Sequence, residues 1–247
     1  FRGNLFAGFC HSLTIALVFL VSNKILKKIV RRKEIVLIVS TSISLILAFS
    51  ALFWLYSSVL EVHSLGNLLT ILTIYFALRW QEQFNKLKSA SFDKSELKYF
   101  LLTLLFLGLG VGHLQTIVLI IPALVLIFVS GVKTKPDWKE KVGKRIGVGI
   151  LVAGLAFLIP NLLLFYFNSR EQNFSWFFGQ NWRGWWFHIR RQVYRGFYVE
   201  RGTTIDSAYV AKFDLRRYIR TFPLYLKYLS DHFTLIGLIL GILGINH

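Results

Sequence analysis

The sequence predicts an all-α, polytopic transmembrane bundle of about seven spans, with an interfacial amphipathic segment on one side. Three observations carry that prediction. Long apolar runs without charge recur along the 247 residues. Only 17% of the residues are charged, against about a quarter in soluble domains. Lys and Arg gather in every second connection between the apolar runs. A helix rising about 1.5 Å per residue needs roughly 20 apolar residues to cross a hydrocarbon layer about 30 Å thick. With 55% hydrophobic residues and a mean hydropathy of +0.55, the chain holds more such runs than a soluble core would absorb.

The first span covers 4–22; the stretch Phe1–Ser22 is too long for a signal peptide and lacks its small-residue cleavage site. A connection with Lys24, Lys27, Lys28, Arg31, Arg32 and Lys33 leads to the second span, 35–57. The link 58–63 carries Glu61 and no Lys or Arg before the third span, 64–80. Arg79, Lys86, Lys88, Lys94 and Lys98 mark the next turn, followed by a short fourth span, 98–112. The uncharged link 112–113 joins it to the fifth, 114–131. Lys133, Lys135, Lys139, Lys141, Lys144 and Arg145 precede the sixth span, 146–167. An aromatic and basic segment, 168–232, then separates the six-span region 1–167 from the start of a last span in 233–247. Basic connections remain on the cytoplasmic side, which puts 58–63, 112–113 and 168–232 on the exterior of, most simply, a bacterial plasma membrane.

The formal charge of +17 and isoelectric point near 10.2 would suggest nucleic acid for a soluble chain. Here the cations sit where topology determinants sit, so no nucleic-acid partner is expected. Cys10 is the sole cysteine, which leaves neither a disulfide framework nor a cysteine metal cluster. The chain holds no methionine and opens within an apolar approach. The expectation is a fragment that lacks its natural N-terminus and stops inside its last span.

Ionisable groups beside apolar spans are costly and therefore candidates for function. Glu61 sits in the exterior turn between spans, where it reads either as a carboxylate lining a cavity or as an ordinary loop acid. His63 stands two residues on, but Glu-x-His alone is a weak metal signature, and no metal site is assigned. In Gly108-Leu109-Gly110-Val111-Gly112-His113-Leu114-Gln115-Thr116, alternate glycines are expected to break the apolar helix just before His113 and Gln115. That break presents either a polar patch to a substrate or a tightly packed helical hairpin. The third candidate is the stretch 182–197, where Trp182, Trp185, Ile189, Val193 and Phe197 form one helical stripe and His188, Arg191 and Arg195 another. Such a helix lies in a membrane interface, where it anchors the chain or binds a lipid-linked phosphate through Arg. Span two holds no charged residue and span three none before Arg79 near its end, which weighs against an ion pathway.

These residues resemble one family. Ala48-Phe49-Ser50 with Phe53-Trp54, then Glu61-Val62-His63-Ser64-Leu65, then Leu78-Arg79-Trp80 look like one of its signatures. Gly108 through His113, with Thr116 and Pro122-Ala123, is similar to a second. His188, Arg191 and Tyr194 in Trp186-Phe187-His188-Ile189-Arg190-Arg191-Gln192-Val193-Tyr194 are similar to a third. The family is the bacterial protein O-mannosyltransferase-like group of GT-C membrane glycosyltransferases. His63 replaces its usual Tyr, and Leu114 a frequent second His.

The resemblance implies transfer of a sugar, mannose among the options, from a polyprenyl-phosphate donor to an exterior acceptor, a protein hydroxyl or a glycan. It places the catalytic Asp upstream of Phe1 and leaves Glu61 as the candidate within this chain. His63, His113, Gln115, His188, Arg190, Arg191 and Tyr194 would bind substrate, with Arg190 and Arg191 on the donor phosphate. No cofactor is certain, and a divalent metal stays open. Two other readings stand beside this one: a transporter or flippase for lipid-linked glycans, and a non-catalytic membrane component.

Overall fold

A computed structural model describes residues 2–58, 62–86, 94–132 and 138–170, together with Trp182, Pro223 and Lys227. Glu61, His188, Arg190, Arg191 and Tyr194 lie outside the described residues, as do the rest of the Trp/Arg segment and the last expected span, 233–246. The described residues are helical apart from short connections, with no strand among them. In chain order they form α1 (Arg2–Leu26), α2 (Lys33–Ala48), α3 (Ala51–Ser58), α4 (Val62–Lys86), α5 (Lys94–His113), a 3-10 segment (Gln115–Ile120), α6 (Ile121–Val132) and α7 (Trp138–Arg170). Two compact units divide the chain, Phe1–Asn161 and Leu162–His247.

Within the first unit the usual distribution of polarity is inverted. Leu5, Phe9, Ile38, Leu119, Leu126 and Ile150 are exposed, several by more than 60%. His11, Thr14, Ser40, Ser44, Thr73, Glu96 and Thr103 are buried. An aqueous fold would hide the first set; a bundle in lipid gains nothing by hiding it and instead buries small and polar groups between helices. The hydroxyls inside are satisfied locally: Thr14, Ser40, Ser44, Thr73 and Thr103 each donate to the carbonyl four residues earlier. Among the described residues, four helices are long and apolar enough to cross a membrane: Arg2–Leu26, Val62–Lys86, Lys94–His113 and Arg145–Phe167.

Where the second span is expected, the chain forms two helices that meet at a sharp bend, either one broken span or a re-entrant loop. α2 and α3 meet at an angle of 60° and count as a fifth crossing if the pair is one span. The bend is local chemistry. Phe49 leaves helical geometry at φ −98° and ψ 6°, its N–H still donating to Leu45 O, while the Ser50 N–H and hydroxyl both turn back to Leu47 O. That serine thus competes with the helical ladder. The fifth expected span is short, the apolar stretch Gln115–Gly131.

α4 is the central helix and packs against α1, α5 and α6. Its C-terminal half carries the aromatic core: Trp80 and Phe84 stack at 5.0 Å between ring centroids, and Phe128 of α6 lies 4.5 Å from Trp80. Phe100 of α5 completes the cluster. Trp80 also donates its indole N–H to Glu96, whose other oxygen accepts from Arg145 at 2.5 Å. This carboxylate is fully buried and ties α4, α5 and α7 together. Gln81 reaches α6 through Ser130 and the Ile127 carbonyl, and accepts from Lys28 beyond the end of α1. The C-terminal ends of α1, α4 and α6 and the N-terminal ends of α5 and α7 therefore meet. This is the end at which the basic connections gather, as a serial up-and-down chain requires.

In the second unit, α7 continues through Leu162–Arg170, and Phe165 meets Trp182 edge-on at 6.4 Å.

Candidate functional site

The opposite end of the first unit holds the candidate site, built from three sequence elements. The first is the start of α4, directly after Glu61. His63, half-buried, sets its ring against that of Tyr56 of α3 at 4.8 Å and a tilt of 45°, and the Ser64 hydroxyl donates to the Tyr56 carbonyl at 3.0 Å. These two contacts fasten the first turn of α4 to α3, on either side of the link that carries Glu61.

The second element is the end of α5. The glycines do not break this helix: it runs unbroken through Gly108, Gly110 and Gly112 to His113, and the expected break before His113 is corrected. The glycines serve packing instead. A Cβ at Gly108 would lie 2.2 Å from the Ala153 carbonyl oxygen of α7, and one at Gly112 2.5 Å from that of Phe157. Four-residue spacing puts both on one face, so the two backbones touch where any side chain would separate them. Gly110 faces the other way, toward Leu69 and Ile117. The chain actually turns at Leu114, which is extended at φ −138° and ψ 103° and sends its side chain against Gly66 of α4.

The third element is the 3-10 segment that begins at half-buried Gln115. The turn at Leu114 leaves His113 free to point across to α4, where its Nε2 lies 2.9 Å from the Val62 carbonyl. As that partner only accepts, Nε2 carries the proton in this contact. His113 is thereby bonded to the backbone of the residue between Glu61 and His63 in the sequence. Asn161 of α7 closes the group, donating to Phe157 O at 2.8 Å and to Gly112 O at 3.5 Å. It sits beside Pro160, which supplies no N–H to the α7 ladder.

Of the expected site residues, then, His63, His113 and Gln115 come to the same end of the bundle, and His113 is bonded to the Val62 carbonyl at the start of α4. The arrangement can hold a polyhydroxylated or anionic ligand by imidazole and amide hydrogen bonds at an apolar boundary. No three His, Cys, Asp or Glu side chains among the described residues converge as metal ligands. Sequence reasoning missed Tyr56 and Asn161 at this end, and Glu96 with Arg145 at the other. For Glu96 a signal existed: it is a lone acid between Lys94 and Lys98, at the mouth of an apolar run.

No curated protein and no solved structure matches the chain. The family model that does match is described as the protein O-mannosyl-transferase TMEM260 N-terminal domain, over residues 1–138. That span contains the α3–α4 junction, the glycine-lined end of α5 and the 3-10 turn, which are the parts that build the site. The chain belongs to the protein O-mannosyl-transferase TMEM260 N-terminal domain family.

Proposed function

We propose that the chain is the membrane-embedded part of a GT-C type glycosyltransferase, which moves a sugar from a polyprenyl-phosphate donor to an exterior hydroxyl acceptor, with mannose and protein as the favoured pair. The family match carries this reading, because it covers His63, His113 and the Val62 carbonyl to which His113 is bonded. In the reaction the acceptor oxygen attacks the anomeric carbon, and the bond from that carbon to the donor phosphate oxygen breaks. The hydroxyl proton passes to a carboxylate base, and polyprenyl phosphate leaves as an anion. Glu61, next to Val62 in the sequence, is the carboxylate this chain offers for that role. His113 and Gln115 contact sugar or phosphate, with His63 beside them. Arg190 and Arg191 neutralise the leaving phosphate, as bidentate guanidinium groups do best, and His188 and Tyr194 flank them.

The proposed topology has the basic end in the cytoplasm and the His63/His113 end outside, in a bacterial plasma membrane. The short stretch Gln115–Gly131 is a further crossing in this scheme. Its 3-10 turns rise about 2.0 Å per residue, which brings the 3-10 segment and α6 together to roughly 30 Å, a full hydrocarbon thickness.

The test is to replace Glu61→Gln and Arg191→Gln separately in the intact protein and assay transfer from a polyprenyl-phosphate sugar. Each is expected to lower turnover by at least about a hundredfold, the usual weight of a positioned acid–base or charge-stabilising group. Wild-type turnover in both variants would sink the assignment.

A further inference from the structure

The basic end contains a cavity that the proposed reaction does not use. It lies between the end of α1 and the C-terminal half of α4, has a volume of about 370 Å³, and is lined by Lys24, Lys27, Lys28, Arg79, Glu82 and Tyr75, with Leu20 and Asn23. Four cations surround one carboxylate. Glu82 is already engaged, by Lys24 at 2.5 Å and by Arg79 at 3.6 Å. The guanidinium of Arg79 lies over the rings of Tyr75 and Tyr99, 5.9 and 5.5 Å from their centroids, which fixes its orientation. Its Nε is buried with no hydrogen-bond partner among the described residues. Lys27 and Lys28 are exposed at the rim. Glu82 neutralises one cation, and a net charge of three remains.

A cluster that only set topology would need no concave shape and no ring-braced guanidinium. The cavity also adjoins lipid-facing surface: Leu20 in its wall is 45% exposed and Ile25 one turn on is 41% exposed. Basic pockets between helices at a membrane surface take phosphate headgroups. We propose that this cavity binds the phosphodiester headgroup of an anionic glycerophospholipid, with Arg79 and Lys27 on the phosphate and the acyl chains along α1 past Leu20. The proposal is independent of glycosyl transfer, since the cavity lies at the other end of α4 from His63.

The full chain is placed in phosphatidylcholine nanodiscs containing a minor share of phosphatidylglycerol, and lipids retained after release are counted by native mass spectrometry. One phosphatidylglycerol is expected to be retained in preference to phosphatidylcholine. K27Q/K28Q should weaken that retention by about thirtyfold, as expected for two cations at a membrane surface. R31Q/R32Q removes the same charge from the same connection outside the cavity and should leave retention within a fewfold of wild type. Equal loss in both double variants would show a diffuse charge effect and overturn the proposal. So would retention unchanged in K27Q/K28Q, or displacement of the lipid by equimolar inorganic phosphate, which would mark a site for the free anion.

Discussion

The glycine seam between α5 and α7 makes a graded prediction about stability. Substituting alanine in a helix ordinarily helps, by about 1 kcal/mol relative to glycine. At Gly108 the added Cβ would meet the Ala153 carbonyl oxygen at 2.2 Å, whereas carbon and carbonyl oxygen rest at about 3.3 Å. The partner is backbone, so no rotamer change relieves the overlap, and the helices must part by roughly 1 Å. Overpacking of this kind costs about 1–3 kcal/mol, which exceeds the propensity gain. Gly112, at 2.5 Å from the Phe157 carbonyl oxygen, should follow closely. Gly110 meets the end of the Ile117 side chain at 3.1 Å, a neighbour that can shift, so its cost should be near zero. Gly147 and Gly154 meet nothing within 4 Å and should gain stability. The assay is thermal or chemical unfolding of each Gly→Ala variant in a neutral detergent, followed by size-exclusion fluorescence. The expected order of stability is G154A and G147A highest, G110A near wild type, then G112A and G108A. The packing argument fails if G108A is as stable as G154A.

Removing one partner of the buried Glu96–Arg145 pair, as in E96A, should destabilise by about 3–5 kcal/mol in the same assay; W80F, which removes the indole donor to Glu96 and thins the ring packed against Phe84 and Phe128, should cost at least about 1–3 kcal/mol. H113A should lower turnover in the transfer assay several-fold while shifting the unfolding midpoint only by the worth of one hydrogen bond, about 0.5–1.5 kcal/mol; a midpoint loss without a turnover loss would make its role structural. Topology is read from single cysteines in a Cys10→Ala background. A cysteine at Lys33 should react with an impermeant maleimide only after permeabilisation, and one at Val62 should react in intact cells.

Much of the fold was legible because lipid imposes a simple rule, that the outer surface of each crossing be apolar and the basic turns alternate. α1, α4, α5 and α7 fall where apolar runs were read, each extended by polar turns that hydropathy alone does not see; α4 continues to Lys86 because Trp80, Gln81 and Phe84 face protein. The bend at Phe49–Ser50 was not legible, since Ser50 reads as one more small residue in an apolar run until its hydroxyl is seen on Leu47 O. At the glycines of α5 the expected break does not occur, while the alternative of close packing at glycine holds. Alternate glycines look like a helix breaker, but two of them face one neighbouring backbone and keep the helix intact by letting it approach. In the site, sequence pointed to His63 and His113, but the bond from His113 to the Val62 carbonyl depends on the turn at Leu114, which no local pattern announces. Glu96 and Arg145, separated by about fifty residues, became a pair only in three dimensions.

The 60° bend between α2 and α3 bears on how the protein tolerates bilayers of different thickness. α2 rises about 24 Å along its own axis, and α3, inclined to it, adds only about 6 Å of reach. Opening that angle by about 10° would lengthen the pair by roughly 2 Å, a change comparable to the few ångströms that separate thin from thick biological membranes. Straight helices answer such a mismatch by tilting as whole bodies, which would disturb the contacts of α4 with all of its neighbours. If α2 and α3 form one crossing, the joint at Ser50 lets it adjust its length and leave the central helix where it stands.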